Sequence, residues 1–197
     1  MRVPYLNRRA VVKLLLGERA GLLVVAGLGA SAWDVAAAGD EPVDFPLWGA
    51  MGGATMVGLG LALAQPSRKV LVITGDGEML MGLGSLATIG TQRPRNLRIV
   101  VLDNEHYGET GRQRTHTASG TDLAMVALGC GFPHAHTVRN EDQLESLRTQ
   151  IQDFDDLFLA VVKIALSEDP PALPPRDGAY LKNRIRRALL GPQAMFQ

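Results

Sequence analysis

The sequence predicts an α/β fold in three layers, with a central, mostly parallel sheet between two layers of helices. Three observations predict it. First, Lys69-Val70-Leu71-Val72-Ile73-Thr74 and Asn96-Leu97-Arg98-Ile99-Val100-Val101-Leu102 are near-continuous apolar runs, as in strands buried on both faces. Second, a helical segment lies between them, as in a strand–helix–strand crossover. Third, both runs end in polar turns, Gly75-Asp76-Gly77 and Asp103-Asn104. That is the sheet edge where open α/β folds bind ligands.

The remaining elements follow in chain order. Residues 7–18 read as an amphipathic helix, with Val11, Val12, Leu14 and Leu15 on its buried face. Arg2, Arg8 and Arg9 precede an apolar stretch that Glu18 and Arg19 stop too early for a secretory signal. The expectation is a cytoplasmic protein. Residues 22–26 form the first core strand and run into the turn Gly27-Leu28-Gly29-Ala30-Ser31, which lacks the third glycine of a dinucleotide fingerprint. A helix over 32–38 and a polar break at 39–42 follow. The cluster Phe45-Pro46-Leu47-Trp48-Gly49-Ala50-Met51-Gly52-Gly53 opens a small-residue helix over 54–64.

After the Gly75-Asp76-Gly77 turn, a single helix is expected over 79–90. Thr121 or Asp122 caps a helix over 123–129, residues 135–138 form a short strand, and Asn140 caps a helix reaching about 152. Residues 157–164 are the last buried strand. The expected domain spans 1–169. Residues 170–197 form a proline-rich arm and an amphipathic segment over 180–190, expected to contact another subunit.

Composition narrows the function. The 197 residues carry 20 basic and 20 acidic side chains, so no nucleic-acid partner is indicated. No apolar run is fit to span a bilayer; residues 22–38 are interrupted by glycines, Ser31 and Asp34. The lone cysteine, Cys130, excludes an intrachain disulfide and a cysteine-ligated iron–sulfur site within this chain, and reads as a core thiol. No cysteine or histidine pair has zinc-site spacing. His134 and His136 read as structural, while His116, just after the polar loop, is kept as a candidate catalytic group.

Asp76 and Asn104 lie 28 positions apart, about one strand–helix–strand unit, so the crossover brings them to one sheet edge. Their oxygens are hard ligands suited to Mg²⁺ or Ca²⁺. Gly75 and Gly77 let the backbone approach a ligand, and the helix that follows aims its N-terminus at the same space, a site for phosphate.

This pattern resembles the thiamine diphosphate (ThDP) motif, Gly-Asp-Gly followed about one such unit later by Asn, within the loop Asp103-Asn104-Glu105-His106-Tyr107-Gly108-Glu109-Thr110-Gly111-Arg112-Gln113. The resemblance implies that Asp76, Asn104 and the carbonyl of His106 hold Mg²⁺, which bridges the cofactor's phosphates. It places Gly75, Gly77, Glu78, Tyr107 and Gly108 at the cofactor. It makes Met51, 25 positions before Asp76, the support for the bent cofactor, with Gly49 as a backbone contact. Glu78 departs from the family, where a small residue is usual.

ThDP enzymes also use a glutamate from a pyrimidine-binding domain, and no such domain is recognisable here. The chain therefore resembles half an active site, most like the β subunit of sulfopyruvate decarboxylase and the C-terminal half of phosphonopyruvate decarboxylase. Gly82-Leu83-Gly84-Ser85-Leu86-Ala87-Thr88-Ile89 and the run through Thr115-His116-Thr117 add to that likeness. The resemblance implies a hetero-oligomer in which an α subunit supplies the glutamate. The implied reaction is decarboxylation of a small anionic 2-oxo acid, and Arg112 and Arg114 are candidates for its anionic tail. Three alternatives stay open: a subunit of an acetolactate synthase-like carboligase, of a 2-oxoacid oxidoreductase, or a ThDP-binding protein without turnover.

Overall fold

The computed structural model describes residues 5–19, 21–167 and 169–195. Arg2 and the outermost positions of both expected segments lie outside the described residues. The chain forms α1 (Arg8–Leu15), β1 (Leu23–Ala26), α2 (Ala30–Ala37), β2 (Asp44–Pro46) and α3 (Ala54–Ala64). It continues through β3 (Val70–Gly75), α4 (Asp76–Met81), α5 (Ser85–Gln92) and β4 (Leu97–Asp103). A small hairpin of β5 (His106–Tyr107) and β6 (Gln113–Arg114) leads by a 3₁₀ turn (His116–Ser119) to α6 (Leu123–Gly129). β7 (His134–Val138), α7 (Glu141–Asp153), β8 (Phe158–Lys163) and α8 (Gly178–Leu190) complete it.

The main sheet runs in the order β2-β1-β3-β4-β8-β7, and every neighbouring pair is parallel. All strands therefore end at one edge. Strand residues alternate between two cores, as a period of two requires. Val24, Leu71 and Ile73 pack with α1, α2 and α7, whereas Val25, Val70 and Val72 pack with α3, α5 and α6. The expected three layers are present.

The caps read from sequence at Asp122 and Asn140 are made: both side chains accept from backbone amides at the starts of α6 and α7, and Asn7 does the same for α1. Two expectations need correction. The helix expected over 79–90 is two helices, α4 and α5, broken at Gly82–Gly84. A Cβ built on Gly82 would lie 2.2 Å from the carbonyl oxygen of Gly52, so the two backbones touch where the helix stops. The other is β2, which the sequence reading missed. It is a three-residue edge strand ending in a proline, too short for a periodic signal.

Residues 169–177 run back across the sheet edge to α8, which lies against β2 of the same domain. Arg184 donates to Asp40 Oδ2 at 2.6 Å and to the carbonyl of Asp44 at 2.9 Å. Arg98, fully buried on β4, caps the end of α7 instead of pairing with a carboxylate. It donates to the carbonyls of Ile151 at 3.2 Å, Arg95 at 3.4 Å, and Phe154.

Candidate active site

The chain leaves β1 toward β2 on one side and returns to β3 on the other. The turns after β1 and β3 thus flank a topological switch point, where such sheets bind ligands. A cavity of about 510 Å³ opens there. Met51, Gly75, Asp76, Gly77, Glu78, Asn104, His106, Tyr107 and Gly108 all line it. Of the sequence-predicted cofactor residues, only Gly49 is not on its wall. Arg112 lines this cavity, while Arg114 lines a neighbouring one and donates to the carbonyl of Ala118 at 2.8 Å. His116 is exposed and lines neither cavity.

The metal-ligand candidates stand on a buried polar network. Asp76 is 2% exposed. Its Oδ2 accepts from Thr115 Oγ1 at 2.6 Å and from Thr117 Oγ1 at 3.3 Å. Thr117 also reaches Asp103 Oδ1 at 2.8 Å, and Lys163 Nζ lies 2.6 Å from Asp103 Oδ2 and 2.9 Å from Glu105 Oε1. Burial raises the Asp76 carboxyl from 3.8 to about 6, the charge of Asp103 adds to the rise, and the hydroxyls of Thr115 and Thr117 oppose it. With every group ionised, Asp76, Asp103 and Glu105 face Lys163 alone within this network, three negative charges against one positive. The surplus of two suits a hard divalent cation.

Asn104 is held by its own turn. Its Oδ1 accepts from the His106 amide at 2.8 Å, leaving a second lone pair, and its carbonyl accepts from His106 Nδ1 at 2.8 Å. Glu105, between them, sits at φ +64°, a left-handed conformation that turns the chain back toward the cavity. Ala50, beside Met51, is likewise left-handed at φ +55°. Such strain clusters at binding sites.

The cofactor candidates converge on Gly77. A Cβ built there would lie 2.6 Å from two carbons of the Tyr107 ring and 3.7 Å from Met51 Cε. The Tyr107 ring leaves no room for a side chain at Gly77, while Met51 lies at ordinary contact distance. The N-caps of α2 and α4, Gly29 and Gly75, make no side-chain capping bond, and the Glu109 carboxylate packs against Gly29. Glu78 is buried and turned toward the space over Gly27. Its Oε2 accepts from Thr74 at 2.9 Å and its Oε1 has no hydrogen-bond partner among the described residues. Burial raises its pKa.

Thr115, Thr117, Asp103, Glu105 and Lys163 are the residues of this network to which the sequence reading gave no role. The spacing Thr115-His116-Thr117 was their signal: the two flanking hydroxyls point inward and the histidine outward.

The geometry agrees with comparisons to known proteins. Residues 29–162 match the family model described as thiamine pyrophosphate enzyme, C-terminal TPP binding domain. The chain is similar to sulfopyruvate decarboxylase subunit beta of Methanocaldococcus jannaschii, with 42% identity over 131 residues, or 65% of this chain and 68% of that one. It is also similar to phosphonopyruvate decarboxylase of Streptomyces viridochromogenes, with 44% identity over 139 residues, or 70% of this chain and only 34% of that one. Among solved structures, benzoylformate decarboxylase from Polynucleobacter necessarius superposes with a TM-score of 0.72 over 83% of this chain and 34% of that one. At 19% identity, that likeness shows the fold alone.

Proposed function

This chain belongs to the thiamine pyrophosphate enzyme family through its C-terminal TPP binding domain, and on that premise we propose that it is the diphosphate-binding subunit of a ThDP- and Mg²⁺-dependent 2-oxo acid decarboxylase. Thiamine pyrophosphate and thiamine diphosphate are one compound. The observation that carries the reading is the convergence of Asp76, Asn104, His106, Tyr107 and Met51, from three chain segments, on one cavity at the switch point.

The side chains of Asp76 and Asn104 and the carbonyl of His106 would hold the metal, with Thr115 and Thr117 fixing the Asp76 carboxylate from behind. The amides that open α4 would receive the diphosphate. Met51 would support the rings above Gly77. When bound, ThDP supplies the nucleophilic carbon and the electron sink that loss of CO₂ requires. The protein binds, orients and excludes water.

The partner is a pyrimidine-domain subunit that brings the catalytic glutamate. Two features support it. The relative from M. jannaschii is named as one subunit, and the chain spans about a third of the relative from S. viridochromogenes. The substrate class is a small 2-oxo acid with a second anionic group, and Arg112 on the cavity wall supports that choice. The site of action is the cytoplasm, in keeping with the lack, among the described residues, of any helix long and apolar enough to cross a membrane.

The test is CO₂ release from sulfopyruvate, phosphonopyruvate, pyruvate and benzoylformate by the chain co-expressed with its partner. The expected result is release from a doubly anionic substrate that needs both subunits, ThDP and Mg²⁺. A complex that binds ThDP yet decarboxylates none of these acids would overturn the reading.

A further inference from the structure

The cavity is lined by Met51, Asp76, Asn104, Tyr107, Arg8 and Trp33, and one stretch of its wall is Leu166, Ser167, Asp169, Pro170 and Pro171. This wall lies beyond residue 162, where the family match ends. The pocket is therefore completed by a segment that the matched domain does not include.

That segment is tied down at several points. Arg9 Nη2 donates to the carbonyl of Pro170 at 2.7 Å. Trp48 Nε1–H donates to the carbonyl of Pro175 at 2.7 Å, and the Arg176 guanidinium lies 5.0 Å from the centroid of the Trp48 ring. The bonds of Arg184 to Asp40 and Asp44 fix the helix beyond. Four prolines at 170, 171, 174 and 175 restrict the backbone between the ties. Trp48 stands three positions before Met51, separated from it by Gly49 and the left-handed Ala50. The arm thus grips the turn that presents Met51, while another part of it walls the same cavity.

We propose that residues 169–177 are a working part of the cofactor site, a strap that walls one side of the cavity and, through Trp48, sets the position of Met51. The inference rests on the reading that this cavity takes ThDP. It makes Trp48 and Arg176 positioning residues for the cofactor, although neither lines the cavity.

The test is a calorimetric titration with ThDP at saturating Mg²⁺, using the full chain and adding the partner subunit if wild-type binding requires it. Trp48→Phe with Arg176→Ala removes one neutral hydrogen bond and one exposed cation–π contact. Transmitted to the site, that loss weakens ThDP binding about 5- to 50-fold. Pro170→Gly with Pro171→Gly loosens the wall without touching Trp48, and serves if the first pair fails to fold. Thermal unfolding of the cofactor-free proteins provides the control. Weaker binding with a retained unfolding midpoint is the expected result. A purely structural arm would lower the midpoint and leave affinity alone, and unchanged affinity in both pairs would overturn the strap while leaving the ThDP reading intact. No ThDP binding by the wild-type protein under either condition would overturn both.

Discussion

Asp76→Asn should stabilise the metal-free chain while destroying the proposed metal site. Asp76 is almost fully buried, and its carboxyl rises from 3.8 to about 6, chiefly because burial disfavours the charge. A carboxylate with a raised folded-state pKa contributes stability that is present below about pH 3.8 and lost as pH rises through about 6. A shift of about two units, at about 1.4 kcal/mol each, sets a ceiling of about 3 kcal/mol for the cost at pH 7.5. By pH 5 the same linkage leaves about half of it. Asn keeps an oxygen that can accept from Thr115 and Thr117, so the network survives the change. The expected gain at pH 7.5 is about 1–3 kcal/mol, or about 5 °C in unfolding midpoint for a chain of this size. The assay is urea unfolding of both proteins in EDTA at pH 7.5 and pH 5. A gain that does not shrink at the lower pH, or no gain at all, would refute the argument that an uncompensated buried charge waits there for a cation.

Three further outcomes follow from the geometry. Thr115→Val with Thr117→Val removes the hydroxyls behind Asp76 and should weaken Mn²⁺ binding, read by electron paramagnetic resonance, by about 10- to 100-fold. The corresponding Ser pair should stay near wild type, and equal affinities in the two pairs would exclude a positioning role. Gly77→Ala sets a methyl group against the Tyr107 ring, 2.6 Å from two of its carbons. It should cost at least about tenfold in ThDP affinity with the fold retained, and unchanged affinity would show that Tyr107 does not define the site. Arg98→Met leaves the carbonyls of Ile151, Phe154 and Arg95 without their donor and should cost about 2–4 kcal/mol in denaturant unfolding. An unchanged midpoint would mean that those carbonyls find other donors.

The strand cores and most helices were legible because periodicity reports burial directly. The runs ending at Thr74 and Leu102 are apolar along their length, and both pair within the parallel sheet. Capping was legible for the same local reason, since Asp122 and Asn140 bond amides two or three residues ahead. The break between α4 and α5 was not legible. It depends on contact between Gly82 and Gly52, thirty positions apart, and a helical pattern passes through Gly82 without registering it. β2 was lost for want of length.

The site shows the same division. Asp76, Asn104 and Met51, which line the cavity, were singled out through a motif with fixed spacing. The groups behind Asp76 were not, because Thr115 and Thr117 lie 39 and 41 positions from it and Lys163 lies 60 from its partner Asp103. The arm was seen as a proline-rich extension, but its attachment to Trp48 spans 127 positions and exists only in the fold. His116 looked as close to the loop as Thr115 and Thr117 do. The 3₁₀ turn beginning at His116 leaves the imidazole in solvent and the hydroxyls against Asp76.

The most direct test of the central claim is a calorimetric titration with ThDP of the wild-type chain and of Asp76→Ala, each with and without Mg²⁺ and with and without the partner subunit. The account requires Mg²⁺-dependent binding by the wild-type protein, alone or with its partner, and loss of that binding in the variant. Binding that persists in Asp76→Ala, or that ignores Mg²⁺, would contradict the assignment of the Gly75-Asp76-Gly77 turn as the metal and diphosphate site.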